Sequence, residues 1–204
     1  KGSTAHASRP KEGINAILVA VRAIERLAKQ LSKKYQSNLV GTSTCNLSKI
    51  EGGLNLGTVS EKLILSEGTN SVADICKVRL DIRPATVNLK EKIVRQILSK
   101  AVKSLGGDLS FSKSIADLGC LSVAKDSISK VSQAVKDSIG TLEFINPNDM
   151  GYGDGQMIFE KFGIPTIYFG AGPSNMCHKP DEYVNIPDLL KLDKFLNKLY
   201  QIYS

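Results

Sequence analysis

Apolar residues recur at three- and four-residue steps over residues 10–31, at Ile14, Ile17, Leu18, Val21, Ile24, Leu27 and Leu31. That spacing predicts an amphipathic helix with Pro10 in its first turn. A second amphipathic helix is predicted over residues 88–105, ended by Gly106-Gly107. Between the two helices the period falls to two. Residues 42–50 and 58–66 alternate like strands, with Gly52-Gly53 between them. Residues 72–83 alternate most strongly. Ile75, Lys77, Arg79, Asp81 and Arg83 share one face, and Val72, Asp74, Cys76, Val78, Leu80 and Ile82 share the other, mostly apolar one. A short strand from Leu109 to Ser112 is expected to follow the second helix.

Helix, strands, helix, strand in that order predicts an antiparallel sheet with two helices on one face. Such a layer ordinarily has a strand before its first helix. The residues ahead of Pro10 read as the end of one, so the chain is expected to enter this domain part-way. Composition changes near 113–125. Beyond it the pattern predicts a helix over 126–138, another after Gly155, and an apolar strand at Thr166-Ile167-Tyr168-Phe169. A glycine-rich loop over 170–175 and a last helix over 187–203 follow. Strand, glycine loop and helix in succession predict the edge of a larger α/β sheet. The expected fold class is α/β, with an α+β layer over residues 1–113 and part of an α/β domain over 114–204.

Composition narrows the class. With 204 residues, 42% hydrophobic and 23% charged, the chain is globular and large enough for one good core or two modest ones. No apolar run approaches the roughly 20 residues that span a bilayer, and no signal peptide is recognised, so no membrane contact and a cytoplasmic location are expected. The net charge of +7 raises the question of a nucleic-acid partner. Yet Lys29, Lys33, Lys34, Lys90, Lys92, Lys100, Lys103, Lys191, Lys194 and Lys198 are spread at mostly helical spacing, like solvated helix faces. No aromatic–basic interleaving of the RNA-binding kind is present. No nucleic-acid partner is expected, and the lysine-rich balance also suits carboxylate-bearing substrates. Cys45, Cys76, Cys120 and Cys177 form no C-x-x-C pair, which argues against a zinc finger. Three of them lie in apolar or strand-like surroundings and read as reduced packing residues.

Only two histidines are present, and each sits in an unusual motif. Phe169-Gly170-Ala171-Gly172-Pro173-Ser174-Asn175-Met176-Cys177-His178 empties a predicted strand into a glycine loop before a histidine. A neutral imidazole there can bind a metal or relay a proton, or it can be a capping side chain. Gly2-Ser3-Thr4-Ala5-His6-Ala7-Ser8-Arg9-Pro10, followed by Gly13-Ile14-Asn15-Ala16, places His6 in a strand-to-helix loop. By itself it reads as an exposed loop residue.

Together these segments resemble the M20 family of metallohydrolases, which includes acetylornithine deacetylase, succinyl-diaminopimelate desuccinylase and glutamate carboxypeptidase. The His6–Pro10 and Gly13–Ala16 stretches resemble the start of that family's lid, or dimerisation, domain. Asp81-Ile82-Arg83-Pro84 resembles its arginine strand. Gly151-Tyr152-Gly153-Asp154-Gly155 resembles its Gly-x-Ser/Thr-Asp loop, and Phe169 to His178 with Glu182-Tyr183 its last metal-ligand segment. The resemblance covers residues 2–190 in the family's order.

It implies a lid over 1–113 and the C-terminal part of an α/β zinc-hydrolase catalytic domain over 114–204. His178 would be a zinc ligand of a two-ion site, with cobalt as an alternative metal. His6 would reach a neighbouring subunit's site and donate a hydrogen bond to the oxyanion of the tetrahedral intermediate. Asn70 would contact substrate, its register set by Arg83 at a separation of 83 − 70 = 13 positions. Arg83 would hold the substrate carboxylate through a two-pronged bond. Gly151, Tyr152 and the 170–175 loop, with Gly172 and Asn175, would line the pocket. The implied activity is hydrolysis of an amide bond in an N-acyl amino acid or small peptide by a homodimer.

The sequence departs from that pattern in places. The stretch from Gly53 to Gly68 is long for the lid. Ala73 stands where a proline is common, and Tyr152 and Gly153 replace small hydroxyl residues. The chain also contains no His-x-Asp and no Glu-Glu, the family's other metal motif and its general-base pair. One imidazole cannot hold two zinc ions, so the 204 residues alone are expected to be inactive. The alternative reading is a non-catalytic association module that pairs through an edge of the lid sheet.

Overall fold

The computed structural model describes residues 1–37, 41–60, 62–112, 128–141, 153–177 and 179–204. The chain divides into two compact units, Lys1–Asp117 and Leu118–Ser204.

In the first unit the leading helix starts later than its apolar period suggests. Pro10–Glu12 form a separate 3-10 turn, and α1 runs from Ala16 to Lys34. Asn15 sets that boundary. Its side-chain oxygen accepts the N–H groups of Ile17 and Leu18 at 3.0 and 3.1 Å, satisfying donors that have no partner inside the helix. Lys33 and Lys34 fall in the last turn, where cations offset the exposed carbonyls. The second helix, α2, spans Glu91–Ser104.

Among the described residues six strands accompany these helices. β1 (Gln36–Ser37) and β2 (Gly41–Thr42) form a small antiparallel pair. β3 (Thr44–Gly53) pairs antiparallel with β6 (Ile75–Arg83), from Thr44 opposite Arg83 to Gly53 opposite Ile75, with an irregularity between Leu47 and Lys49. The expected single strand over 58–66 is instead the centre of a hairpin. β4 (Asn55–Val59) and β5 (Lys62–Leu65) are its arms. Ser60, at a φ of 46°, marks the reversal, so an alternating run was here interrupted by a turn. The short strand expected from Leu109 to Ser112 is not formed; it has no ladder partner among the described residues.

Val19, Ala23, Leu27 and Leu31 of α1 pack with Leu89, Val94, Leu98, Ala101 and Val102 on and around α2. Cys45, Leu80 and Ile82 of the β3–β6 pair close the core from below. Both helices therefore cover one face of this pair, as the pattern predicts. A close approach fixes Gly52: a Cβ there would lie 2.7 Å from Ile17 Cγ1, so only glycine lets α1 settle onto β3 at that height.

Ser43 ties three segments of this unit together. It is 3% exposed. Its hydroxyl donates to the Tyr35 carbonyl at 2.5 Å and accepts the Ala85 N–H at 2.8 Å. The end of α1, the start of β3 and the chain beyond β6 meet at this oxygen. Ser43→Ala leaves the Ala85 N–H buried without its partner, and is expected to cost about 1–3 kcal/mol of stability in chemical denaturation.

Among the described residues the second unit contains three α-helices, α3 (Ser129–Ser138), α4 (Asp154–Phe162) and α5 (Ile186–Tyr203). Ala134, Val135 and Phe195 are its buried centre, with the Phe169 ring tilted by 39° against Phe195 at 4.2 Å between ring centroids. The expected strand at Thr166–Phe169 is not paired in a ladder among the described residues, because an apolar extended run becomes a strand only when a neighbour takes its N–H and C=O groups. This unit leaves much apolar surface open, including Phe162, Ile164, Ile186, Leu190 and Tyr200. No helix of the described residues is long and apolar enough to cross a membrane.

Candidate functional site

Residues 2–7 run antiparallel to residues 70–74. The Gly2 N–H donates to the Asp74 carbonyl at 2.7 Å, the Val72 N–H to the Ala5 carbonyl at 2.8 Å, and the Ala7 N–H to the Asn70 carbonyl at 2.8 Å. The last two bonds flank His6, which is bridged directly to Ser71. In an antiparallel ladder such a pair has its side chains close together. A four-residue turn follows, closed by the Arg9 N–H donating to the His6 carbonyl at 2.9 Å. His6 and Asn70, separated by 70 − 6 = 64 positions in sequence, thus come to neighbouring positions of this ladder, and both are exposed.

The imidazole of His6 is held by its own turn. Ser8 Oγ lies 2.7 Å from His6 Nδ1, and the Ser8 backbone N–H donates to the same nitrogen at 3.2 Å. A backbone N–H can only donate, so Nδ1 is the acceptor and the proton of the neutral ring sits on Nε2. Among the described residues Nε2 has no partner, and the ring is exposed. The site thus presents an N–H donor to the outside from a backbone anchored on two sides.

Arg83 lies elsewhere. It is the last residue of β6, opposite Thr44. At about 3.3 Å rise per residue, a strand running from Ile75 to Arg83 extends roughly 26 Å, which separates Arg83 from His6 and Asn70 within one chain. Its guanidinium is already forked onto Asp81, with Nε to Oδ1 at 2.8 Å and Nη2 to Oδ2 at 2.7 Å. A substrate carboxylate would compete with that pair. The two half-buried thiols on the helix-facing side of the sheet are ordinary packing groups. Burial, with a smaller contribution from the charge of Asp81, pushes the Cys45 thiol up, and burial pushes the Cys76 thiol up. Cys177 is exposed, and Cys120 lies outside the described residues.

In the second unit, Gly153 caps α4 and Asp154 opens it. Sequence reading missed what holds this turn. The Tyr168 hydroxyl accepts the Gly155 N–H at 2.8 Å and donates to Gln156 Oε1 at 2.5 Å, and the same Oε1 accepts the Gly153 N–H at 3.0 Å. A Cβ on Gly153 or Gly155 would sit 2.7 Å from the Tyr168 oxygen, so the Gly-Asp-Gly spacing is set by this phenol. Ser8, Tyr168 and Gln156 were all overlooked. For Ser8 a signal existed, since a serine two residues beyond a loop histidine can return onto the ring. For Tyr168 nothing local pointed to α4.

Gly172, at a φ of 102°, and Asn175, in the 3-10 turn Ser174–Met176, are exposed. Gly170, Ala171 and Gly172 line a pocket of about 200 Å³ with Ile139, Phe169, Asp188 and Lys191. Gly151, Tyr152 and His178 lie outside the described residues. Among the described residues no three His, Cys, Asp or Glu side chains come together as a metal site. These residues by themselves do not fit a two-zinc centre.

The α+β unit with its exposed histidine defines a class. The family model described as a peptidase dimerisation domain, of the M20 type, matches residues 1–108. The chain belongs to the M20 peptidase family. It is 25% identical over 206 aligned positions to the acetylornithine deacetylase of Buchnera aphidicola subsp. Schizaphis graminum, covering 97% of this chain and 49% of that protein. It is 26% identical to the acetylornithine deacetylase of Klebsiella pneumoniae, covering 90% of this chain and 45% of that one. A tripeptidase from Staphylococcus aureus subsp. aureus Mu50 superposes with a TM-score of 0.63 at 24% identity, over 98% of this chain and 48% of that structure. That likeness concerns the fold. The chain spans about half the length of the curated relatives it matches. Enzymes of this family are generally metal-dependent.

Proposed function

We propose that this sequence supplies the lid and part of the catalytic body of a metal-dependent hydrolase of amide bonds in N-acyl amino acids or small peptides, working in the cytoplasm as a homodimer. The single observation that carries the reading is the exposed His6 ring, held through Nδ1 by Ser8 on a segment laddered to residues 70–72. An oriented N–H donor of this kind stabilises the oxyanion that forms when an amide carbonyl is attacked. Asn70, next to the bridged Ser71, contacts the substrate, and Arg83 takes its carboxylate by exchanging the fork to Asp81 for one to the ligand. Gly172 and Asn175 are the candidate pocket residues of the second unit, with Gly151 and Tyr152, which lie outside the described residues.

His178 is the candidate zinc ligand in this chain. Further ligands and a general base must come from residues the 204 positions do not include, since the chain has neither His-x-Asp nor Glu-Glu. The exposed apolar side chains of the second unit, among them Phe162, Ile186, Leu190 and Tyr200, support its packing against further polypeptide.

The distance between His6 and Arg83 along β6 gives the dimer a role. Both reach one small substrate only if they come from different copies, related by a two-fold axis. Complementation tests this. His6→Ala and Arg83→Ala homodimers of the intact enzyme are each expected to be nearly inactive. When the two are mixed and reassembled, half the dimers are hybrids with one complete site, and about a quarter of the wild-type rate returns. No recovery from the mixture would place both residues in one copy's site. Unimpaired single variants would instead favour the association-module reading.

A further inference from the structure

We infer that Ser8 is a positioning residue that sets which nitrogen of His6 carries the proton. This deepens the reading of His6 as oxyanion donor and rests on it. A neutral imidazole donates from one nitrogen only, and in solution both tautomers are populated. An oxyanion donor needs the proton on the nitrogen that faces the substrate, so a ring free to exchange tautomers spends part of its time presenting a lone pair to an anion.

In this turn both hydrogen-bonding groups of Ser8 converge on Nδ1, Oγ at 2.7 Å and the backbone N–H at 3.2 Å. The hydroxyl alone would not decide the matter, because it can donate or accept. The backbone N–H gives the direction, since a proton on Nδ1 would point at another hydrogen, but at 3.2 Å it is the longer contact, and the hydroxyl at 2.7 Å supplies the stronger hold. With Nδ1 committed as acceptor, the hydroxyl donates to it as well, at the shorter distance. The proton therefore stays on Nε2, which is exposed and has no partner among the described residues.

The backbone makes this arrangement local and rigid. His6 is clamped by ladder bonds on both sides, Ala7 to Asn70 and Val72 to Ala5, each at 2.8 Å. The Arg9 N–H closes the turn onto the His6 carbonyl at 2.9 Å, which carries Ser8 back over the ring. Pro10 follows and stiffens the exit. Ser8 itself is exposed and packs in no core, so its removal leaves the fold intact.

Two measurements test the assignment. The first is a long-range ¹H–¹⁵N spectrum of the 204-residue chain, in which only two imidazoles contribute and His6→Gln identifies the ring in question. The His6 ring is expected to show an unprotonated Nδ1 and a protonated Nε2, and in Ser8→Ala to shift toward a mixture of tautomers. The second is kinetics of the intact enzyme. Ser8→Ala is expected to lower kcat about 5–10-fold with KM nearly unchanged, since only the charged transition state feels the donor. Ser8→Thr keeps the hydroxyl and restores both the spectrum and kcat.

A wild-type ring protonated at Nδ1, or a Ser8→Ala variant with unchanged spectrum and rate, overturns the inference. A tautomer shift in Ser8→Ala accompanied by full activity of His6→Ala supports Ser8's control of the ring and removes the oxyanion role. The two readings therefore fail separately.

Discussion

On the proposed oxyanion role of His6, replacing it with alanine is expected to lower kcat of the intact protein about 10²–10³-fold while KM changes little, as when one preorganised oxyanion donor is lost. The side chain is exposed and contributes nothing to the α1–α2 core. The backbone bonds that hold the segment, from Ala7 and Val72, do not involve the ring. The variant should therefore fold and melt as the wild type does, and the loss should sit in the chemical step. Side by side measurements of kcat, KM and thermal melting decide it. A kcat within about threefold of wild type would leave His6 no part in stabilising charge.

Leu27→Ala is expected to have the largest effect on stability, about 2–5 kcal/mol. Leu27 is 0% exposed and lies at the centre of the cluster that joins α1 to α2. Ala23 and Leu31, one turn away on either side, are equally buried, so neighbours already in contact cannot relax into the vacancy. A domain of this size has about 5–15 kcal/mol to lose, so the first unit would be close to unfolding. Leu18→Ala is the internal control. Leu18 is on the same helix but 51% exposed, and its truncation should shift stability by no more than about 0.5 kcal/mol. Equal denaturation midpoints for the two variants would remove Leu27 from the centre of the core.

The two helices of the first unit and the β6 strand were legible because they are written in local periodicity. Ile24, Leu27 and Leu31 mark a face whatever else the chain does, and the alternation from Ile75 to Arg83 marks a strand. The boundaries were less legible. Asn15, not Pro10, starts α1, because the cap that satisfies the first N–H groups outweighs the reach of the apolar period. The 58–66 run looked like one strand because alternation continues through a turn that Ser60 makes with a positive φ. In the second unit an apolar run at 166–169 carried the composition of a strand without a partner to pair with among the described residues.

The candidate site divides in the same way. That His6 stands in a strand-to-helix loop, that Asn70 and Arg83 are 13 positions apart, and that the chain lacks most metal-binding motifs are properties of the sequence alone. Tertiary structure decided that His6 lies against Ser71 beside Asn70, because a ladder joins positions that no local pattern connects. It also decided that Arg83 stands at the other end of β6, since a strand converts sequence separation into length. What meets His6 Nδ1 was decided last, by a turn that folds the Ser8 hydroxyl and N–H onto that one nitrogen. Periodicity reports which faces are buried; the direction of a hydrogen bond depends on where the backbone returns.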